Sequence, residues 1–270
     1  MSLAPIRRGG ARVRQQINAL LPLPRPRNLI LVAGMPKSGT TAIARLLGEL
    51  TGKTVCSDPL HQLDQAGVPF RQPLFEGSLN LEQLWRSHRQ VFAGPIVKDP
   101  NFPLLLPQLQ DMFPQARVLV TVRDPRDNLR SILDRLGIPG HPDQAGNALA
   151  RVQGTWGLVL RGSCPAMPGR DHLEHLAWRW RRSYEPCLAL DQRERLILRY
   201  EDFNADKEGQ IRQAAQRLGL PARHDISHRV NVSFQPKGKA VTDFEAYFGH
   251  DALQRILHIV QPLLAEFGYE

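Results

Sequence analysis

Residues 28–47 read NLILVAGMPKSGTTAIARLL. The unbroken apolar run at 29–32 is the pattern of a strand buried on both faces of a parallel sheet. Gly34, Pro36 and Gly39 break that run into a tight loop. Ile43, Leu46, Leu47 and Leu50 then recur at helical spacing. A loop between a strand and the start of a helix exposes backbone amides and the positive end of the helix dipole. It therefore favours an anion such as phosphate or sulfate. Gly34 and Gly39 have the spacing of the nucleotide-gripping G-x-x-x-x-G-K-[ST] loop, but Thr40 stands in the lysine's place and the lysine is Lys37, inside the loop. Taken alone, the segment also suits a generic glycine-rich turn with a surface lysine.

The flanking sequence repeats the strand-then-helix pattern. Residues 53–56 read as a strand ending in Ser57-Asp58-Pro59, and 95–97 as a short strand ending in Lys98-Asp99-Pro100. Residues 116–122 form a strong strand ending in Arg123-Asp124-Pro125-Arg126-Asp127; 195–198 form the last, leading into Arg199-Tyr200-Glu201-Asp202-Phe203. Asn80 caps a helix carrying Leu81, Leu84 and Trp85. Pro107 forces a kink or a late start in a helix over 104–113. Asp124 is a good N-cap, Pro125 suits the first helical position, and Asp127 adds charge near the dipole. That helix buries Leu129, Ile132, Leu133 and Leu136, with Ser131 pointing away from the apolar face. A helix over 173–190 carries Leu176, Trp180, Tyr184 and Leu188, with His172 and His175 on its surface. Asp206 caps a helix to 218, and a closing helix starts at 251. Residues 67–78 and 229–243 read as irregular. Residues 137–170 are rich in Gly and Pro around one helix at 144–160, an insertion covering the site.

This alternation predicts an α/β fold: a single P-loop-type domain with a mostly parallel central sheet flanked by helices. Such sheets bind ligands beyond the carboxyl ends of their strands. Lys37, Asp58, Lys98 and Arg123 all fall there.

At 270 residues, 42% hydrophobic and 23% charged, the composition is that of an ordinary globular protein. No apolar run of about 18 residues predicts a membrane-spanning helix. Three widely spaced cysteines suggest neither a disulfide framework nor a zinc site; they fit a reducing, cytoplasmic setting. Of the formal charge of +9, six arginines precede the first strand, and setting them aside leaves +3. Residues 1–27 read as a basic flexible arm, or as an arm contacting an acidic partner or membrane surface. Residues 28–270 read as the working domain. A mildly basic body suits small polyanions better than nucleic acid. No carboxylate and histidine cluster has metal spacing.

P-K-S-G-T-T at 36–41 resembles the 5′-phosphosulfate loop of sulfotransferases that use 3′-phosphoadenosine 5′-phosphosulfate (PAPS). Ser131 follows Arg123 by eight residues, which resembles the strand-end arginine and helix serine that hold the 3′-phosphate in that family. Without the loop, the pair reads as a helix cap with a surface serine. The resemblance spans roughly 28–270. It implies cofactor contacts from Pro36, Lys37, Ser38, Gly39, Thr40, Thr41, Arg123 and Ser131, from Tyr200 beside adenine, and from Lys237, Gly238 and Lys239 at the 3′-phosphate. Lys98-Asp99-Pro100 resembles the K-D-P segment of tyrosylprotein sulfotransferases and some bacterial relatives, whose lysine stabilises the transferring group. Ala42 and Pro100 stand where cytosolic sulfotransferases carry a tryptophan and a catalytic histidine, so the phenol and steroid type is disfavoured.

The resemblance implies a PAPS-dependent enzyme that transfers a sulfuryl group to a hydroxyl acceptor, without metal. Aligned without a gap from Lys37, Asp58 falls where tyrosylprotein sulfotransferases carry their catalytic glutamate; Lys37 and Lys98 neutralise developing charge. The other reading of Asp58 is an N-cap or turn residue before Pro59, and His61 is then the second candidate base. Carbohydrate, lipid, peptide and small natural-product hydroxyls all remain open as acceptors, as does the oligomeric state. The rivals are a P-loop small-molecule kinase and a non-catalytic polyanion binder working through its arginine arm.

Overall fold

β1 (Ile30–Ala33), β2 (Val55–Ser57), β3 (Ile96–Asp99), β4 (Arg117–Val122) and β5 (Arg195–Arg199) form one five-stranded sheet in the order β2-β3-β1-β4-β5. Every pairing is parallel. The structure is a computed structural model and describes residues 26, 28–232 and 243–270. The basic arm expected at 1–27, apart from Pro26, and Lys237-Gly238-Lys239 lie outside the described residues.

The helices follow in chain order: α1 (Thr40–Thr51), α2 (Pro59–Gln65), α3 (Arg71–Glu76), α4 (Leu81–Ser87), α5 (Leu106–Met112), α6 (Pro125–Leu136), α7 (Gly146–Arg151), α8 (Gly154–Leu160), α9 (His172–Ala189), α10 (Tyr200–Ala205), α11 (Lys207–Arg217), α12 (Phe244–Phe248) and α13 (His250–Leu264). Successive strand residues bury on opposite faces, as the pleat requires. Ile30, Val32, Ile96 and Leu119 pack with Leu46, Leu47 and Leu50 of α1 and Ile211 of α11. Leu31, Ala33, Val97, Val118, Val120 and Val122 pack into the other core, with α6, α9 and α13. Two covered faces explain why these strands read as continuous apolar runs.

With every strand pointing the same way, all five carboxyl ends lie along one edge. β1 is central, and Lys98 of β3 pairs with Val32 of β1 and Ser57 of β2. The loop after β1, Asp58 after β2, Lys98 at the end of β3 and Arg123 after β4 are therefore brought to one edge, as expected.

Several local expectations are corrected. The strand predicted at 53–56 is shifted to Val55–Ser57. The helix predicted over 144–160 is two, α7 and α8, because Gly154 is left-handed at φ 65. A Cβ at Gly154 would also meet the Arg71 guanidinium of α3, so glycine suits both the left-handed backbone and the close approach. Residues 71–76, read as irregular, form α3. Pro107 sits in the first turn of α5, so the helix starts late after a 3₁₀ turn. His172 and His175 are not surface residues: both are buried. The 137–170 segment folds back onto α9, and His175 bonds with the carbonyls of Leu160 and Gly169 at 3.2 and 3.1 Å.

Candidate active site

The loop leaving β1 is fixed from beneath. Met35 N–H donates to Tyr184 Oη (3.2 Å), which donates to the Thr121 carbonyl on β4 (2.9 Å). Ser38 Oγ donates to the Met35 carbonyl at 2.7 Å and lies 2.9 Å from Thr121 Oγ1. Gly34 is needed here because a Cβ would strike Thr121 Oγ1 and its carbonyl, and come within 2.8 Å of Ser38 Oγ. Gly34→Ala is expected to cost about 1–3 kcal/mol, the usual range for overpacking. That lowers the melting midpoint by roughly 2–10 °C for a chain of this size. A calorimetric scan checks it, and an unchanged midpoint would mean that Thr121 yields freely.

Lys37 takes a left-handed φ of 71 and Gly39 one of 85. For lysine that conformation costs about 1–2 kcal/mol. It is held by Arg123 Nη1 donating to the Lys37 carbonyl and Asn128 Nδ2 donating to the Pro36 carbonyl, both at 3.0 Å. Burial lowers the Lys37 pKa, and the nearby cations Arg123, Arg135 and Arg130 lower it further. The first turn of α1 holds no acidic residue, and no side chain caps its N-terminus. The loop is therefore short of negative charge, the electrostatics an anion would relieve.

Lys98 is almost wholly buried, 3% exposed. Its Nζ donates to both Asp58 oxygens, at 2.8 and 3.0 Å. Asp58 occupies the N-cap position of α2, but its side chain makes no cap bond, and its backbone is left-handed at φ 54, ψ 52. The turn-residue reading therefore describes its main chain only, while the carboxylate goes to Lys98. His61 is exposed on α2. Beneath Asp58 lies Asp99, fully buried, with burial pushing its pKa up to about 6.

On the far side of the loop, Arg123 Nη2 donates to Asp127 at 2.6 Å. Its guanidinium lies 4.5 Å from the centre of the Tyr200 ring. Tyr200 in turn backs onto Gly39, where a Cβ would sit 2.7 Å from its Cδ2. Ser131 is buried at 4% exposure on α6. It does lie off the apolar stripe, but that side of the helix is covered too. Arg123 Nε and Asn128 Oδ1 are buried and without a hydrogen-bond partner among the described residues. The structure thus brings residues 36–41, Arg123 and Tyr200 into one contiguous set, with Asp58 and Lys98 on the neighbouring strand ends.

A model of the sulfotransferase family matches residues 70–225, more than half of the chain. The chain belongs to the sulfotransferase family. The matched span of this sulfotransferase includes Lys98, Arg123, Ser131 and Tyr200 but begins after the loop and Asp58. The sulfotransferase STF9 from Mycobacterium avium superposes with a TM-score of 0.61 at 14% identity, over 97% of this chain and 81% of that one. STF1 from Mycobacterium tuberculosis H37Rv gives 0.52 at 14% identity, over 94% and 81%. The sulfotransferase domain from the curacin biosynthetic pathway gives 0.51 at 13% identity, over 92% and 99%. At these identities the likeness is one of fold. No curated protein sequence matches the chain.

Sequence reading missed the residues that hold the loop up: Asn128, Thr121, Trp180 and Tyr184. Trp180 Nε1 donates to the Arg123 carbonyl at 3.0 Å. Asn128 carried a signal, a buried-face polar residue one turn into α6. The two aromatics read as ordinary core, and only the fold shows their polar ends meeting the site. Among the described residues no group of three metal-ligating side chains occurs, and no helix is long and apolar enough to cross a membrane.

Proposed function

We propose that this sulfotransferase moves the sulfuryl group of PAPS to a hydroxyl acceptor by in-line displacement, with Asp58 as general base. The observation that carries the reading is the Asp58–Lys98 pair on the strand ends next to the cationic loop. The residues fit such a donor: the start of α1 is uncapped, Lys37 sits among cations, and Arg123 Nε is unpartnered. PAPS, when bound, supplies the sulfuryl group and a bisphosphate leaving group. The amides of residues 36–41 and the Thr40 and Thr41 hydroxyls hold the 5′ end. Arg123 and Ser131 hold the 3′-phosphate, with Lys237, Gly238 and Lys239 as further candidates. Tyr200 flanks adenine.

Catalysis of this kind is mainly positioning and charge stabilisation. Lys37 neutralises the bridging oxygen. Two of the three Lys98 N–H bonds go to Asp58, and the third would be available to a sulfuryl oxygen of the bound donor. Asp58, on the neighbouring strand end, would take the acceptor proton. The positive charge comes from side chains and amides, so transfer proceeds without added metal. The acceptor is a carbohydrate, lipid, peptide or small natural product bearing a hydroxyl. All three cysteines are free, which suits a cytoplasmic setting.

The test is differential protection against heat. Binding to the folded state alone contributes about 2.7 kcal/mol at a hundredfold excess over Kd. Adenosine 3′,5′-bisphosphate should therefore raise the midpoint by several degrees, with chelator present. AMP, ADP and ATP should do much less. Equal protection by AMP, or stronger protection by ATP with magnesium, would favour a P-loop kinase instead.

A further inference from the structure

Asp99 closes β3 next to Lys98 and is fully buried. Its Oδ2 accepts the Leu60 N–H at 2.9 Å. Its Oδ1 accepts the Asn101 N–H at 2.9 Å and Asn101 Nδ2 at 3.1 Å. Leu60 is the second residue of α2, and Pro59, the first, has no N–H. Asp99 thus caps α2 from a neighbouring strand, satisfying a donor that a helix normally offers to its own N-cap side chain.

Asp58 stands at that N-cap position and does not cap. Aspartate is among the best N-capping residues, yet its backbone here is left-handed and not the extended conformation a capping residue usually adopts. Left to itself, the start of α2 would draw the Asp58 carboxylate onto its own helix and off Lys98. Asp99 occupies the Leu60 N–H, one of the two amides an N-cap side chain uses. The Asp58 N–H, meanwhile, is held by the Lys98 carbonyl at 2.7 Å. Behind Asp99, Asn101 Oδ1 accepts from Arg179 Nη2 at 3.1 Å. Arg179 is 1% exposed, between the rings of Phe75 and Trp156 at 5.1 and 5.0 Å. One amide therefore links a buried carboxylate to a buried guanidinium, and Asp99 is fixed from both sides.

We propose that Asp99 is a positioning residue for sulfuryl transfer: by capping α2 in place of Asp58, it keeps the Asp58 carboxylate on Lys98 and facing the acceptor hydroxyl. The inference rests on Asp58 being the base. Asp99 itself touches neither donor nor acceptor.

A double-mutant cycle tests it. Turnover of PAPS is measured with the most reactive of four acceptors: a phenol, a tyrosine peptide, a sugar and a lipid alcohol. Asp99→Ala should lower kcat by ~30-fold or more, since misplacing a reacting group by about 1 Å costs on the order of 100-fold. Affinity for adenosine 3′,5′-bisphosphate should stay unchanged. Asp99→Asn, which can turn its one remaining oxygen to the Leu60 N–H but then sets its NH2 against the Asn101 donors, should recover part of that loss. The double variant Asp58→Asn with Asp99→Ala should be no slower than Asp58→Asn alone, because Asp99 acts only through Asp58. Losses that multiply in the double variant, or normal turnover in Asp99→Ala, overturn this inference while leaving the base assignment standing. Normal turnover in Asp58→Asn overturns the assignment and the inference together. Should Asp99→Ala fail to fold, the same cycle run with Asp99→Asn decides: its smaller loss must vanish in the Asp58→Asn background.

Discussion

Asp58→Asn should reduce turnover by ~100-fold or more, the usual scale for losing a general base, while affinity for adenosine 3′,5′-bisphosphate stays within about twofold. The substitution is nearly isosteric. It can preserve the Asp58 N–H bond to the Lys98 carbonyl and the left-handed turn, since asparagine tolerates that conformation as well as aspartate does. It removes a proton acceptor and the charged partner of a buried lysine. The second loss matters separately, because Lys98 is almost wholly buried and would keep only a neutral partner. Burying an unpaired ammonium is costly, so a lower melting midpoint is expected as well. The two effects separate by measurement: a stability defect is saturated away at low temperature with bound nucleotide, a kcat defect is not. An Asp58→Asn enzyme with normal kcat would move the base to His61.

The comparison between sequence and structure has a physical pattern. The central strands were legible because two-sided burial leaves an unambiguous apolar run, as at 29–32 and in β4. Strand ends were legible for the same reason: where the run stops, Lys37, Lys98 and Arg123 begin. The α6 start was legible because Asp124 and Pro125 carry their own capping chemistry, and Asp124 Oδ1 does accept the Arg126 N–H at 2.9 Å.

What escaped depended on neighbours distant in sequence. No helical wheel shows that 137–170 folds back over α9, so His172 and His175 read as exposed. The break at Gly154 lies at a left-handed residue packed against Arg71, more than eighty residues away. Asp58 looked like a cap because local sequence cannot reveal that Asp99, forty-one residues later, accepts the Leu60 N–H and that the Asp58 carboxylate goes to Lys98. In the site itself, residue types were readable, but their support was not. Asn128, Tyr184 and Trp180 act through groups on other elements, and periodicity assigns such residues to the core.

Arg123→Ala should weaken adenosine 3′,5′-bisphosphate by ~100-fold while changing AMP by less than about threefold, measured by calorimetric titration. The asymmetry follows from the proposed contact. A guanidinium offers paired, charge-assisted hydrogen bonds to a phosphate, and truncating one side of such a pair costs about 2–5 kcal/mol or more. AMP lacks the 3′-phosphate and has little to lose. Sequence position alone puts Arg123 at a strand end and not in the core, yet it is 8% exposed and braces the Lys37 carbonyl, Asp127 and Tyr200. Some loosening of the loop is therefore expected, with a modest fall in the melting midpoint. The fold survives because the bond from Trp180 goes to the Arg123 main chain, and Asp127 keeps Arg130 at 2.9 Å. Arg123→Lys separates charge from geometry: it keeps the cation and loses the fork, so its affinity should fall between wild type and Arg123→Ala. If both variants weaken AMP as much as the bisphosphate, Arg123 serves the loop alone, and the 3′-phosphate must be held by other groups.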